Sequence, residues 1–229
     1  MKINLTPIGI VHSCYKEKFG APRQARLVPH SFAEIEILPP YNRIEAWQEL
    51  ETSSHIWVQF IFHLNKIKEW KPKVKAPRLG GNKTIGVFAT RSPIRPNPIG
   101  LSAVKLEKIH AQGEKIILKV SNTDLVDGTP VIDIKPYIPY CDRIEEASND
   151  FADIAPTKYT VEFSETSEQK LIPYNQLKPL IIETLQLNPS PQYIDHENDR
   201  IFGLTINQLN IKWKLISESK IEVSDIELI

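Results

Sequence analysis

The stretch from Thr90 to Ser102 constrains this chain more than any other, because three prolines fix its backbone around two arginines. It reads TRSPIRPNPIGLS. Proline fixes φ at about −65° and restricts the residue before it to extended conformations. The spacing excludes a helix and a central strand, and it predicts a pre-organised loop. A rigid loop carrying the guanidinium groups of Arg91 and Arg95 suits an anionic or polar ligand. The alternative is an ordinary proline-rich surface connection.

Short apolar or alternating runs on both sides of this loop predict strands. They cover residues 8–11, 33–37, 55–63, 85–89, 101–109, 115–120 and 131–134. Many short strands between Gly- and Pro-containing turns are typical of a barrel or sandwich. The prediction is a mainly β fold with a single β-barrel as its N-terminal domain, over residues 1–142, and a short helix over 45–51.

The composition changes after Asp142 and predicts a second, different unit. Residues 143–165 are predicted to form an acidic connector, and residues 166–229 a small α+β C-terminal domain. Within that domain, residues 177–187 (LKPLIIETLQL) favour a helix with Pro179 in its first turn. Residues 209–216 and 220–228 favour a hairpin.

Charge and cysteine usage restrict the function classes further. The net charge is +0, yet residues 66–105 hold ten Lys or Arg and one acid. The basic loop at 66–83 could bind nucleic-acid phosphates, or it could be a solvated charged loop. No apolar run approaches the roughly 18 residues of a membrane span, and the first residues do not read as a signal peptide. Cys14 and Cys141 form no metal pattern, which favours the cytoplasm and buried or inert thiols.

Motifs of other enzyme classes are absent from the sequence. There is no GxGxxG after a strand and no phosphate-binding GxxxxGK[ST], so a Rossmann sheet is not expected. There is also no HExxH and no GxSxG, which argues against zinc proteases and serine hydrolases. The six histidines are scattered, so no metal site is predicted.

Two further motifs carry polar side chains suited to a ligand. Residues 124–140 read DLVDGTPVIDIKPYIPY, and the carboxylates of Asp124, Asp127 and Asp133 could hold a ribose hydroxyl, an amine or an adenine amino group. Tyr137 and Tyr140 offer faces on which bases could stack. Residues 16–24 read KEKFGAPRQ and follow the first strand. Three such loops on one β core could form one pocket; otherwise they are turns and plain surface loops.

In this order and spacing, KEKFGAPRQ, PRLGGNKTIGVFATRSPIRPNPIGLS and DLVDGTPVIDIKPYIPY resemble the TrmO (TsaA-like) family of tRNA (adenine-N6)-methyltransferases. The resemblance covers residues 6–142 closely and continues more weakly through 189–193 and 209–213. It implies an S-adenosylmethionine-dependent enzyme that binds its cofactor on a β-barrel and works as a homodimer. The implied substrate is tRNA, methylated on N6 of the threonylcarbamoyladenosine just 3′ of the anticodon.

Matched by position, the resemblance also implies which residues contact the cofactor. They are Gln24, Ala25, Arg26, Phe62, His63, Arg91, Leu101, Ser121, Asn122, Thr123 and Asp124. Arg91 is expected to bind the cofactor carboxylate, because a guanidinium can do so bidentately. The sequence departs from the family pattern at Ala25-Arg26, where the family commonly has Pro-Gly. The resemblance therefore implies backbone contacts with the cofactor at these two residues but does not decide their side-chain contacts.

The remaining motif residues are expected to serve the substrate and the chemistry. Arg95, Asn97, Lys135 and Tyr137 would contact the substrate or hold the loops. The accepting nitrogen must lose a proton, which its carbamoyl group makes easier to remove. If a base is used, Asp124 or Asp133 is the candidate. Two other functions fit the same residues, namely a non-catalytic RNA-binding module and a methyltransferase acting on a small molecule or protein.

Overall fold

A computed structural model describes residues 3–65, 69–75, 83–150, 152–190 and 200–229. Much of the predicted basic loop, at 66–68 and 76–82, lies outside the described residues. So does part of the C-terminal resemblance, at 191–193.

The first part of the chain forms a closed six-stranded barrel. The strands up to residue 136 are β1 (Gly9–Ser13), β2 (Phe32–Ile37), β3 (His55–Ile61), β4 (Lys73–Lys75), β5 (Thr84–Gly86), β6 (Ile99–Gln112), β7 (Lys115–Ser121) and β8 (Pro130–Pro136). The barrel order is β1-β2-β7-β6-β3-β8, and its neighbouring strands are antiparallel. The predicted barrel is therefore confirmed.

Alternating burial along the strands creates the barrel core. Successive side chains of a strand point to opposite faces, and β6 accordingly alternates between exposed and buried positions over its first half. The inward positions are apolar and fully buried, as at Val11, Ile35, Val58, Val104 and Leu118. Their burial removes apolar surface from water and stabilises the barrel.

Two predicted elements near the barrel differ from the structure. The helix predicted over 45–51 is wrong, because two short 3₁₀ turns, Ile44–Trp47 and Leu50–Thr52, replace it. Glu49 separates them with a left-handed φ of 66°, which a right-handed helix cannot contain. The strand predicted over 85–89 ends early. β5 pairs with β4, and the chain then turns at Val87–Ala89 before entering the proline-rich stretch.

The second part of the chain packs helices on a four-stranded sheet. The short helix α1 (Pro139–Asp142) still belongs with the barrel, because Asp142 accepts a hydrogen bond from Trp57 of β3. The elements of the second part are β9 (Thr160–Phe163), α2 (Glu165–Leu171), α3 (Lys178–Gln186), β10 (Phe202–Ile206), β11 (Leu209–Ser217) and β12 (Lys220–Leu228), with a 3₁₀ segment at Ile172–Leu177. The sheet order is β10-β11-β12-β9, with β9 parallel to β12. The predicted helix and hairpin are both present, as α3 and β11–β12.

The boundary predicted at residue 166 is wrong. β9 lies inside the stretch predicted as connector, yet it is hydrogen bonded to β12 and belongs to the C-terminal sheet. A parallel partner distant in sequence gives no local signal, which is why composition alone placed the boundary too late.

The two cysteines differ in their surroundings. Cys14 is buried, and burial raises the pKa of its thiol to about 11, which makes it inert at neutral pH. Cys141 is exposed, so the buried interpretation does not hold for it. Within the described helices, none is long and apolar enough to cross a membrane.

Candidate active site formed by three loops

Three loops meet at one end of the barrel. The first loop (residues 14–31) joins β1 to β2, the proline loop (residues 90–98) precedes β6, and the aspartate loop (residues 122–129) joins β7 to β8. The Arg91 guanidinium donates a short hydrogen bond to Oε1 of Gln24. The backbone N–H of Arg26 donates to the carbonyl of Asn122 at 2.9 Å. The three loops therefore lie together at this end of the barrel, which is one of the two arrangements that the sequence left open.

The proline loop is held largely by its own atoms. The Arg95 guanidinium donates to the carbonyl of Thr90 at 3.0 Å and to that of Ser92 at 3.4 Å. It also lies 5.9 Å from the ring centroid of Phe88, within cation–π range. Arg95 thus braces the loop, which is one of the two roles predicted for it. Asn97 is exposed at the loop's end.

Asp124 is the carboxylate at the centre of this cluster. Burial raises the pKa of its carboxyl, and hydrogen bonds from Ser102 and the backbone of Ala25, with the positive charge of Arg91, oppose that rise. Its Oδ1 is buried and has no hydrogen-bond partner within the described part of the chain. A buried acceptor left unpaired costs about 1–3 kcal/mol. The site therefore offers a place for a donor from a ligand.

Phe62 and His63 border the same cluster. The backbone N–H of Phe62 donates to the carbonyl of Pro98 at 2.8 Å, which ties the end of β3 to the proline loop. Burial lowers the pKa of His63, and a hydrogen bond to the Asp127 carbonyl opposes this. The pKa of the His63 imidazole therefore lies below its ordinary value of 6.5. Both predicted residues lie beside the proline and aspartate loops.

The departure from the family pattern at Arg26 falls on a left-handed backbone position, and Asn122 beside it has the same conformation. The φ angles are 71° for Arg26 and 58° for Asn122. Glycine adopts this conformation without steric cost, whereas arginine does not. Arg26 therefore occupies a glycine-type position, and it keeps the backbone hydrogen bond to Asn122 that a glycine would make.

Thr123 and Ser121 have structural partners. Thr123 is fully buried, and its backbone N–H and carbonyl both bond the Ser31 hydroxyl, at 2.7 and 2.8 Å. It therefore fixes the aspartate loop to the first loop. Ser121, at the end of β7, donates to Glu107 at 2.5 Å.

A second group of predicted residues lies on the outer face of the barrel. Leu101 pairs with Gln59, which pairs in turn with Asp133 on β8. Leu101 is 52% exposed, while its neighbour Ser102 is 5% exposed and faces inward toward Asp124. Because adjacent residues of a strand face opposite sides, Leu101 and Asp133 lie on the other side of the barrel wall from Ser102.

Lys135 and Tyr137 continue this outer face. Lys135 Nζ is 2.6 Å from Oδ2 of Asp133. The ring of Tyr137 is 5.5 Å from that of Trp57. The structure therefore does not bring Asp133, Lys135 or Tyr137 to the Asp124 cluster. Asp133 is engaged in an exposed ion pair instead of facing the site.

Ser102 of the site went unnoticed in the sequence, and Asp127, which was named there as a possible ligand-binding carboxylate, has partners within the chain instead. Ser102 is a polar residue at an inward position of β6, where alternation calls for an apolar one, and that exception was a usable signal. Asp127 accepts hydrogen bonds from the backbone N–H of Ser13 at 2.7 Å and from Lys16 at 3.0 Å. No local sequence pattern predicts that Asp127 joins the first loop to the aspartate loop.

The fold and site define a class of protein, a closed β-barrel whose loops bring the buried carboxylate of Asp124 close to the exposed guanidinium of Arg91. The sequence matches the tRNA-methyltransferase O N-terminal domain over residues 10–143 and the TrmO C-terminal domain over residues 156–229. The chain belongs to the tRNA-methyltransferase O family.

Individual relatives agree along the whole chain. A tRNA (adenine(37)-N6)-methyltransferase of Escherichia coli is 41% identical over 226 residues, which is 96% of each chain. A Pseudomonas aeruginosa protein, whose name refers to S-adenosylmethionine-dependent methyl transfer, is 40% identical over 99% of this chain and 98% of its own. The crystal structure of TrmO from Pseudomonas aeruginosa superposes with a TM-score of 0.83 at 36% identity, covering 99% of each chain.

Proposed function

We propose that this chain is an S-adenosylmethionine-dependent tRNA methyltransferase that methylates N6 of the threonylcarbamoyladenosine next to the anticodon. Its family and the relatives named for adenine(37)-N6 methylation support the tRNA and the adenine nitrogen. The single observation that supports cofactor binding is the buried Oδ1 of Asp124, which has no hydrogen-bond partner among the described residues and lies close to Arg91 where the three loops meet. The threonylcarbamoyl group on that adenine is supported only by the resemblance of the sequence motifs to the family.

The residues present fit the proposed cofactor. S-adenosylmethionine carries amino and hydroxyl donors that suit the free oxygen of Asp124, and a carboxylate that suits the exposed guanidinium of Arg91. Gln24 would orient Arg91 through the hydrogen bond they already share. When bound, the cofactor supplies an electrophilic methyl group on a sulfonium.

The chain's contribution to the reaction is chiefly alignment. Methyl transfer is an in-line displacement, and holding the reacting groups in position can lower the barrier by several kcal/mol, up to roughly 7–11. The prolines and Arg95 fix the loop that carries Arg91, so the site needs little reorganisation. Of the two predicted bases, Asp124 is the one beside the loops, but its free oxygen serves the cofactor. We therefore assign no essential base, and the N6 proton, made easier to remove by the carbamoyl group, passes to solvent.

The substrate and assembly form a separate part of the proposal. Lys73 and Lys75 of β4 and Lys83, directly before β5, are exposed, and they would contact tRNA phosphates together with the rest of the basic loop. We also propose a homodimer, supported by the exposed Leu101 beside Trp57 and Tyr137 on the outer barrel face. In that dimer, Lys135 and Tyr137 would serve the substrate from the outer face.

Mass spectrometry of tRNA nucleosides tests the function directly. Purified protein is incubated with S-adenosylmethionine and with tRNA bearing either threonylcarbamoyladenosine or plain adenosine at that position. We expect a mass gain of one methyl group on the threonylcarbamoylated tRNA. If only the tRNA with plain adenosine is methylated, threonylcarbamoyladenosine is not the substrate, although the chain is still a tRNA methyltransferase.

The two alternative functions give different outcomes. A non-catalytic RNA-binding module would bind tRNA without any shift of its melting temperature by S-adenosylmethionine. A methyltransferase with a small-molecule substrate would show the shift but transfer no methyl group to tRNA. Light scattering of the purified chain would test the homodimer independently.

A further inference from the structure

The first loop belongs to the barrel in sequence, yet its side chains lie in the core of the C-terminal domain. Cys14, Tyr15 and Val28 are 0%, 1% and 0% exposed, and they pack with Leu185, Trp213 and the rest of the C-terminal core. Phe19 and Ala21 of the same loop are partly buried against it. The loop that carries Gln24 and Ala25 is therefore built into the other domain.

Helix α3 holds the loop by hydrogen bonds at two consecutive residues. The hydroxyl of Tyr15 lies 3.2 Å from Oγ1 of Thr184, and both groups are buried. Glu183 accepts from the backbone N–H of His30 at 2.9 Å and lies 2.7 Å from Nδ1 of the same histidine. Tyr15 is near the start of the first loop and His30 near its end, so α3 fixes both ends.

Strand β10 holds the loop by a second set of contacts. Tyr15 forms a β-bridge with Ile206, and the backbone N–H of Asn207 donates to the Cys14 carbonyl at 2.7 Å. The backbone N–H of Thr205 donates to the Glu17 carboxylate at 3.1 Å. Gly20 has φ of 87°, and an added Cβ would lie 3.4 Å from the Leu204 side chain. The loop follows the strand closely through its first half.

The second half of the loop faces the site. Gln24 accepts from Arg91, the Ala25 backbone bonds Asp124, and Arg26 bonds Asn122. These contacts lie between the two ends that α3 holds. Backbone motion at Tyr15 or His30 would therefore displace the loop residues that contact Arg91 and Asp124.

We infer that the C-terminal domain positions the cofactor site, with Glu183 and Thr184 of α3 acting through the first loop as positioning residues. They do not touch the cofactor. They hold Gln24 and Ala25 against Arg91 and Asp124, so that the loop is ordered before the ligand arrives. This inference rests on the proposed function for its ligand, but the ordering of the loop is a property of the chain alone.

The experiment compares four full-length variants with the wild type. Thr184→Val keeps the shape of the side chain and removes the bond to Tyr15. Glu183→Ala removes both bonds to His30, and Glu183→Gln keeps an oxygen that can accept from the His30 backbone. Asp225→Asn is the matched control, because Asp225 forms an ion pair with Lys170 at 2.5 Å within the C-terminal domain and away from the loop.

Two measurements are made on each variant. Calorimetry with S-adenosylmethionine gives the dissociation constant, and hydrogen exchange without ligand gives the protection of residues 16–26. We expect Glu183→Ala and Thr184→Val to raise the dissociation constant about tenfold, the effect of losing one or two hydrogen bonds. Exchange in residues 16–26 should be faster. Glu183→Gln should recover part of both, and Asp225→Asn should change neither.

A loss of stability without a change in cofactor binding would contradict the inference. If Glu183→Ala and Thr184→Val lower the melting temperature but leave the dissociation constant and the exchange of residues 16–26 as in the wild type, the contacts are only structural and the inference is wrong. If the wild type does not bind S-adenosylmethionine, the proposed function fails. The exchange measurement then still decides whether α3 orders the loop.

Discussion

The proline loop and the first loop build neighbouring parts of one site, but they are held in different ways. In the proline loop, Arg95 bonds carbonyls three and five residues away, and the prolines restrict the rest. In the first loop, the partners of His30 and Tyr15 are 153 and 169 residues away on α3. The proline loop is braced mainly by its own residues, with added bonds from Phe62 and Asn65 at the end of β3, whereas the first loop is braced by the C-terminal domain. A site can thus combine a part held mainly by local contacts with a part that depends on another domain.

Arg91 is where the two loops meet, so its removal should have the largest effect. We expect Arg91→Ala to weaken S-adenosylmethionine binding on the order of 100-fold, because a charge-assisted bond to the carboxylate and the contact with Gln24 are both lost. Calorimetry measures the change. The control is Arg143→Ala, which removes an exposed arginine paired with Glu145. Unchanged affinity in Arg91→Ala would remove Arg91 from the cofactor site.

Gly100 tests how tightly the barrel core is packed where the proline loop enters β6. It follows the loop in β6, and an added Cβ would lie 2.2 Å from Cζ of the buried Phe60. We expect Gly100→Ala to lower the free energy of unfolding by about 2 kcal/mol, since the ring must move within a packed core. Denaturant unfolding measures this. Gly86→Ala is the matched control, because nothing lies within 4 Å of its added Cβ. Equal stability of the two variants would contradict the crowding.

Replacing Arg95 shows how much of the order of the proline loop comes from the arginine and how much from the prolines. We expect Arg95→Ala to weaken cofactor binding roughly tenfold, because the loop loses two backbone hydrogen bonds while the prolines remain. Hydrogen exchange should then increase in residues 90–95 and stay unchanged in residues 16–26. Faster exchange in both loops would show that they form one unit and that the contrast between them is wrong.

Asp124, which both loops contact, should make cofactor affinity depend on pH. Burial raises its pKa above the ordinary value of about 3.8, so the folded chain holds this proton more tightly than the unfolded chain. Its contribution to stability is present at low pH and is lost as the pH rises through the folded pKa. A ligand donor needs the carboxylate, so affinity should change in the opposite direction and fall several-fold as the pH is lowered through the same range. Calorimetry from pH 8 downward measures this, and Asp124→Asn should make the profile flat.

Arg26 should give the smallest effect. Its left-handed backbone costs about 1 kcal/mol or more for a residue with a Cβ, and glycine avoids that cost. Because glycine also gains freedom in the unfolded chain, we expect Arg26→Gly to raise the free energy of unfolding by roughly 0.5 kcal/mol. Thermal unfolding measures it, with Gly113→Ala, at φ of 59° and with open space around it, as the reverse change. Destabilisation by Arg26→Gly would show that the arginine side chain stabilises the loop.

The comparison also explains how far the sequence could be read. Local rules gave the stiffness of the proline loop, the alternating strands and the helix at α3, because each depends on neighbouring residues. They left open whether the three motifs meet, since plain surface loops fitted the same residues. They could not show that Tyr15 reaches Thr184 or that β9 joins β12, since these contacts depend on distant segments. Asp133 was misplaced for a related reason: its motif is continuous, but β8 turns its side chain to the outer face.

The acidic stretch between the two domains has both of its ends fixed. Asp142 accepts a hydrogen bond from Trp57 of β3 at 2.8 Å, and the backbone N–H of Tyr159 donates to the Gln186 carbonyl at 2.9 Å. Between them the chain only has to close a loop, and doubling the length of a flexible loop costs about 0.6 kcal/mol. Residues 143–150 can therefore be lengthened at little cost in stability, and a label inserted there would report on the outer barrel face beside Trp57.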